Sequence, residues 1–386
     1  MRMKSGWVLV VLAPLLVALD GCVNSNSVPN SGTGFMWVAT QGDQRVTPFT
    51  VNLSTGAVSG VGSAVATGAT PVAMAITPDA KSLFVANAGD STVSAYTVNS
   101  DGSLTAQGTA TPTGQLPVAL AVDPSSKFLF VANANSSTIS VFSISGTSLT
   151  PVAGSPFSSS LPGDVTGNGP AALVTSRSGN FLYVANQFTN TLGAFSYDPN
   201  GVLTLIAGYP TGNNPSGLAF SRCAGITTAT TSCPTSDGNN LFVADSGSNQ
   251  ITVFAACIQT SATCGTPNGT LAPVSGSPFA AGVSPVAFII HPTLNFVYSV
   301  DSKSNQVSQY KYSSATGALT PLTPAAASSG SNPLDGGITS NGAWAFVTNN
   351  AGSTLTAYSV GLGGKLAPAP IASIPLSGQP SAIVVR

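Results

Sequence analysis

Residues 117–150 read PVALAVDPSSKFLFVANANSSTISVFSISGTSLT, a stretch that parses into four short strands divided by turn residues. Strand A runs from Val118 to Val122, and Asp123-Pro124-Ser125-Ser126 turns the chain into strand B, Phe128 to Ala132. Asn133 to Ser136 turns it again into strand C, Thr138 to Ile144, and a last turn at Gly146 leads to strand D around Leu149. A four-stranded unit of this size cannot bury its apolar faces alone, so it calls for neighbours of its own kind.

Those neighbours are in the sequence. Strand B recurs as FMWVAT, SLFVAN, FLFVAN, FLYVAN, LFVAD, FVYSVD and AFVTN, closing at Thr40, Asn87, Asn133, Asn186, Asp245, Asp301 and Asn349. Strand A opens with a proline each time, at Pro71, Pro117, Pro170, Pro215, Pro285, Pro333 and Pro380. Proline suits a first strand position, where no ladder donor is required. A β-rich repeat with a period of about fifty residues predicts a ring of blades, here an all-β, seven-bladed β-propeller with four antiparallel strands per blade. The chain enters on a strand B (Phe35 to Thr40) and leaves on a strand A (Pro380 to Val385), so the C-terminal strand is expected to close the first blade. Strand direction alternates, which puts the A–B and C–D turns on one face of the ring and the B–C and D–A turns on the other.

The segment before the ring reads as an address. Arg2 and Lys4 precede an apolar run from Trp7 to Leu19, too short to span a bilayer as a helix, and the run meets Leu19-Asp20-Gly21-Cys22. Residues 1–22 are therefore expected to be a lipoprotein-type signal ending at Cys22, the lipidation site. Residues 23–33 form a polar flexible tether and residues 34–386 the propeller. This places the protein outside the cytoplasm, as an outer-membrane or cell-surface lipoprotein in the periplasm or beyond, with membrane contact only through its lipid. Of the remaining cysteines, Cys223, Cys233, Cys257 and Cys264, nearest-neighbour pairing gives Cys223–Cys233 and Cys257–Cys264. Both pairs fall in the fifth blade, in its A–B and C–D turns.

Charge is sparse: twelve acidic residues, all Asp, eleven Lys or Arg, and one His. No basic patch marks a nucleic-acid surface, and a monomer is expected. His291 occupies the A–B turn place that Asp123 holds in the third blade, so it reads as a turn cap. Arg177, Arg222, Lys81 and Lys127 also lie in A–B turns and read as solvated. The Asn or Asp closing strand B reads as a cap on its own B–C turn. Phe84, Phe130, Tyr183, Phe242, Tyr298 and Phe346 share one register and read as packing between blades.

Asp335 breaks a rule. Two residues after the strand A proline the other copies carry Ala73, Ala119, Ala172, Gly217, Ala287 and Ala382. Strand A is innermost in a propeller, so a carboxylate there needs water, a partner or a purpose. Asp164, in the loop SSLPGDVTGNG, falls on the same face, and the two are the candidate ligand-binding residues, with Asp335 the one catalytic candidate.

The proline-led strand A, the LYVAN-like strand B and the TVSVF-like strand C resemble the lactonase-type, or YVTN-like, seven-bladed propellers, a family that includes bacterial 6-phosphogluconolactonases. The resemblance covers residues 35–386 and implies lactone opening by His, Arg and Glu around the central channel, often with a His right after the strand A proline. That position here holds Val72, Val118, Ala171, Ser216, Val286, Leu334 and Ser381, and the chain contains no Glu. With so few titratable groups, the sequence favours a binding or scaffold module at the cell envelope, taking a small molecule, a glycan or an envelope protein. The alternative is a lactone hydrolase with a reduced site and a small lactone-like ligand, in which Asp335 activates water, with Ca²⁺ as the one cofactor to consider. A structural subunit of a surface assembly is a third possibility.

Overall fold

The structure, a computed structural model, describes residues 32–163, 167–222, 239–260, 264–367 and 372–386. The described residues form seven antiparallel sheets and no helix. Six blades follow the chain in order, beginning with strands A at Pro71–Ile76, Pro117–Val122, Pro170–Thr175, Pro215–Phe220, Pro285–Ile290 and Pro333–Ile338. The other blade is assembled from both ends: Pro380–Val385 serves as its strand A and pairs antiparallel with Thr33–Thr40, placing Met36 opposite Val385 and Ala39 opposite Ala382. The closure expected from the mismatched ends is the one observed. Numbering the blades from this one, the PVALAV unit is blade 3 and Asp335 belongs to blade 7.

Strand B lies in the middle of each blade and is covered on both faces, which is why it reads as a nearly continuous apolar run. In blades 2 to 5 every residue of it is buried. The buried apolar side chains fall into seven clusters, each shared between two adjacent blades, from blades 1 and 2 round to blades 7 and 1. The aromatic register of strand B supplies the largest pieces: Phe84, Phe130, Tyr183, Phe242, Tyr298 and Phe346 are all fully buried. Tyr183 packs edge-on against Phe220 of the next blade at 5.5 Å, and its hydroxyl donates to the Gly269 carbonyl at 2.9 Å. Each polar tip thus finds a backbone acceptor while the ring fills the seam.

Strand D departs from the simple unit in blades 1, 3 and 5, where it is split in two. In blade 3 the pieces are Ser148–Pro151 and Phe157–Ser158, and in blade 5 Leu271–Pro273 and Phe279–Ala280. A Gly-Ser-Pro-Phe sequence sits at both of these breaks, and its serine hydroxyl takes over the lost ladder contact. Ser155 Oγ accepts the Val141 N–H at 2.9 Å, and Ser277 Oγ accepts the Val253 N–H at 2.8 Å. In the C–D turn of blade 5, Cys257 and Cys264 form a disulfide. Cys22, Cys223, Cys233 and Asp164 lie outside the described residues.

Candidate functional site

The inner strands A line a central channel with a cavity at each mouth. On the B–C/D–A face the cavity holds about 330 Å³ and is walled by residues that follow the strand A prolines, three each in blades 2, 3, 5 and 6, two each in blades 4 and 7 and one in blade 1, together with Gln41. Most of this wall is aliphatic: Val72, Val118, Ala171, Val286 and Leu334 stand in the ring of positions that directly follow the proline. The two hydroxyls of that ring are spoken for. Ser216 Oγ donates to the Pro285 carbonyl at 2.9 Å and Ser381 Oγ to the Pro71 carbonyl at 2.6 Å, each reaching the proline that opens the next strand A. They stitch blade to blade.

Asp335 is the acidic group in this wall. Its strand keeps the same register as its counterparts: Pro333 pairs with Asn349 and Asp335 with Thr348, with the bulge after the proline that most blades share. The strand is therefore not displaced to accommodate the carboxylate. One oxygen accepts the Gly336 N–H at 2.8 Å and the other the Ile383 N–H at 3.0 Å, so Asp335 also ties blade 7 to the strand that closes blade 1. The residue keeps partial access to the channel and lines its cavity. Burial raises its pKa to about 6 against the two stabilising N–H contacts. A carboxyl poised there exchanges its proton near neutral pH. Gln41 adds an amide, whose Oε1 is 3.5 Å from Asn350 Nδ2. Among the described residues, no three His, Cys, Asp or Glu side chains gather as a group that could hold a metal ion.

The Asn and Asp residues that close strand B do not face the channel, nor do they cap their own turns. They are fully buried, and in blades 2 and 7 the asparagine clasps the D–A connection to strand C. Asn87 Oδ1 accepts from Thr67 Oγ1 at 2.7 Å and from the Gly68 N–H at 3.1 Å, while its NH₂ donates to Thr92 and Ser94. Asn349 repeats the pattern with Ser329, Gly330, Thr354 and Thr356. A side chain on the connecting glycine would collide with the clasp: a Cβ on Gly68 would stand 2.7 Å from Asn87, and one on Gly330 2.5 Å from Asn349. The sequence carries the matching signal, a glycine three residues before the strand A proline in GATP, GQLP, GNGP, GNNP, GVSP and GSNP. Its partner lies about twenty residues downstream of the glycine, and local turn chemistry does not point there.

On the A–B face a second cavity of about 470 Å³ is walled by the far ends of the strands A, with Arg177 and Arg222 among its lining. These arginines were expected to be solvated turn residues. Arg222 is exposed, whereas Arg177 is half-buried where the A–B turns of neighbouring blades converge over the channel. His291 does cap its turn: buried, it accepts the Thr293 and Leu294 N–H groups on Nδ1 at 3.2 and 3.0 Å. Asp123 does the same for Ser125, Lys127 and Phe128. Burial, then the nearby Arg222, lowers the His291 pKa to about 4, so it stays neutral and serves as an acceptor.

Comparison with known proteins places the ring. The profile of the family described as "Lactonase, 7-bladed beta-propeller" matches residues 66–153 and 156–262, just over half of the chain. No curated protein sequence matches it. Among solved structures, a Bacteroides fragilis protein provisionally named a 6-phosphogluconolactonase superposes with a TM-score of 0.75 at 18% identity, over 93% of this chain and 99% of that one. A periplasmic gluconolactonase of Pseudomonas aeruginosa gives a TM-score of 0.73 at 19% identity, over 92% and 99%. A Lactobacillus plantarum protein gives 0.73 at 16%, over 92% and 100%.

Proposed function

The chain belongs to the lactonase-type seven-bladed β-propeller family, and from that premise we propose that it hydrolyses a small lactone at the channel mouth on the B–C/D–A face, with Asp335 as the general base. The observation that carries this reading is the carboxyl of Asp335, partly open to a cavity of about 330 Å³ and held with a pKa of about 6. In its ionised form it takes a proton from water as the water oxygen attacks the lactone carbonyl. Collapse of the tetrahedral species breaks the ring C–O bond, and the proton returns from the carboxyl to the departing alkoxide, leaving a hydroxy acid. The Gln41 NH₂ is the side-chain donor at hand for the carbonyl oxygen. The aliphatic ring that replaces the family's histidine position favours a neutral substrate over a phosphorylated one, since it offers no cation to a phosphate. The protein is further proposed to act outside the cytoplasm, anchored through a lipid on Cys22; metabolic labelling with palmitate should mark the protein and lose the signal in Cys22→Ala.

Turnover of gluconolactone and of simple γ- and δ-lactones, with and without Ca²⁺, tests the catalytic proposal. The rate is expected to rise with pH through about 6 and to fall about a hundredfold in Asp335→Asn. An unchanged rate in that variant, or no turnover across the panel, overturns it. A second reading, binding without turnover, is favoured by the engagement of both Asp335 oxygens with backbone N–H groups and of Ser216 and Ser381 with neighbouring carbonyls. Calorimetric binding of a lactone that is recovered intact would support it.

A further inference from the structure

Three arginines stand at the opposite mouth of the channel, near enough for Arg222 to feel the charges of the other two. Arg177 and Arg222 line the cavity of about 470 Å³, and Arg386 follows Val385, a lining residue of the same cavity. Arg177 and Arg222 stand two residues beyond strand A of blades 4 and 5, and Arg386 one residue beyond strand A of blade 1. The convergence of the inner strands therefore brings them together although they are up to about two hundred residues apart in a ring of this kind. Tyr312 Oη donates to the main-chain carbonyl of Arg222 at 3.1 Å and holds its backbone, and the Arg386 guanidinium is held where its Nη2 donates to the Thr77 carbonyl at 3.2 Å.

Like charges at one mouth repel, and among the described residues no side-chain carboxylate forms a salt bridge with any of the three. The one salt bridge among the described residues joins Lys81 to Asp79 on the surface. Asp79 exerts a weak pull on Arg386, and no carboxylate reaches salt-bridge distance of Arg177 or Arg222. Arg222 remains accessible at the mouth while protein crowds its guanidinium. That burial, followed by the charges of Arg177 and Arg386, lowers its pKa to about 10. It stays positive at neutral pH. Behind the cations the wall is apolar, with Leu218, Phe220, Phe288, Ile289 and Ile338 facing inward from three blades. Leu218 and Phe288 also line the Asp335 cavity, so they divide the two mouths.

We propose that the A–B mouth is a binding site for a small organic carboxylate, its carboxylate group held by Arg177, Arg222 and Arg386 and its apolar body inserted toward Leu218 and Phe288. Guanidinium forks suit a planar carboxylate, and the apolar wall selects for a body that inorganic anions lack. This site opens on the opposite face from the Asp335 cavity, shares Leu218 and Phe288 with it, and does not rest on catalysis there.

Titration calorimetry of the whole protein with benzoate, benzamide and inorganic phosphate tests it. Benzoate should bind saturably and weaken by roughly tenfold in Arg177→Gln and again in Arg222→Gln, as expected for loss of a charge-assisted contact. It should weaken further as salt is raised. Benzamide, equal in shape and without charge, should bind at least about tenfold more weakly. Asp335→Asn should leave benzoate binding unchanged, which separates this site from the lactone site. Equal binding of benzamide, or benzoate binding indifferent to both arginine variants, overturns the proposal. Phosphate binding as tightly as benzoate overturns its organic-acid half. Thermal unfolding of each variant, with Arg177→Lys alongside, guards against misfolding: the lysine variant should keep the fold and the charge while losing the fork.

Discussion

The two mouths of the channel are built from the same seven strands yet differ in charge and in what makes them polar. At the B–C/D–A mouth, strand A begins with a proline and a ring of aliphatic residues, and one carboxylate, Asp335, stands in it. At the A–B mouth the strands end in turns, and Arg177, Arg222 and Arg386 lean over an apolar cavity. The first end is stitched by Asn87 and Asn349 and by Ser216 and Ser381; the second carries the Cys257–Cys264 disulfide and the arginines. A repeat that is strict at one end and permissive at the other puts its stability in the first and its variation in the second.

The most drastic way to break this contrast is to remove a strand that both mouths share. Deleting residues 380–386 takes away strand A of blade 1, the partner of Thr33–Thr40 and the donor to Asp335. Burial of Ala382 and Ile383 and the strand ladder are lost together, and the expected loss is roughly 5 kcal/mol or more. Denaturant unfolding followed by circular dichroism should show the whole ring destabilised; loss confined to one blade would contradict a closed ring. Next in size is a strike at the stitched mouth alone. Gly330→Ala drives a Cβ into Asn349 and should cost roughly 2–3 kcal/mol, whereas Gly60→Ala, with open space around it, should cost far less in the same experiment. At the permissive end, Cys257→Ser with Cys264→Ser opens a short loop, and the expected loss is about 2 kcal/mol in the chain-entropy account.

The smallest effects sharpen the contrast most, because the two ends titrate with opposite sign. The Asp335 pKa is raised from 3.8 to about 6, so the folded protein holds that proton more tightly than the unfolded chain does. Its contribution is fully present below about pH 4 and is lost as pH rises through 6. His291 has a pKa lowered from 6.5 to about 4, so the unfolded chain binds that proton more tightly, and its contribution is lost as pH falls from 6.5 through 4. The two offset each other across the same window. In Asp335→Asn, stability should gain a steeper rise between pH 4 and 6.5; in His291→Asn it should tilt toward a fall. Each change is expected to be on the order of 1–2 kcal/mol, since solvent entering the channel screens the charge on Asp335. Parallel pH profiles for wild type and both variants would contradict the assignment.

How much of this was legible follows from where each residue's partners lie. The ring, its count and its closure were readable because strand B recurs as a nearly unbroken apolar run and strand A as a proline followed by small residues. Asp335 was readable because it stands where its counterparts are Ala or Gly. The clasp role of Asn87 and Asn349 was not, since the groups that donate to their Oδ1 sit in the connection before strand A, although the glycine pattern of GATP and GSNP held the clue. Arg177 and Arg222 looked like any turn residues. Their gathering depends on the convergence of several blades, and a property of the assembled ring has no trace in the local sequence.

The clasp of blade 1 also sets an order in time. Thr33–Thr40 and Pro380–Val385 are separated by more than three hundred residues, so every other blade can pair its own four strands before these two can meet. Until that meeting the first blade lacks its inner strand, leaving an unpaired sheet edge open. Asp335 meanwhile lacks the Ile383 N–H that holds one of its oxygens, and the arginine mouth lacks its third cation. Each blade is therefore folded by its neighbours, but both mouths come into being in one late event, when the two most distant parts of the ring find each other.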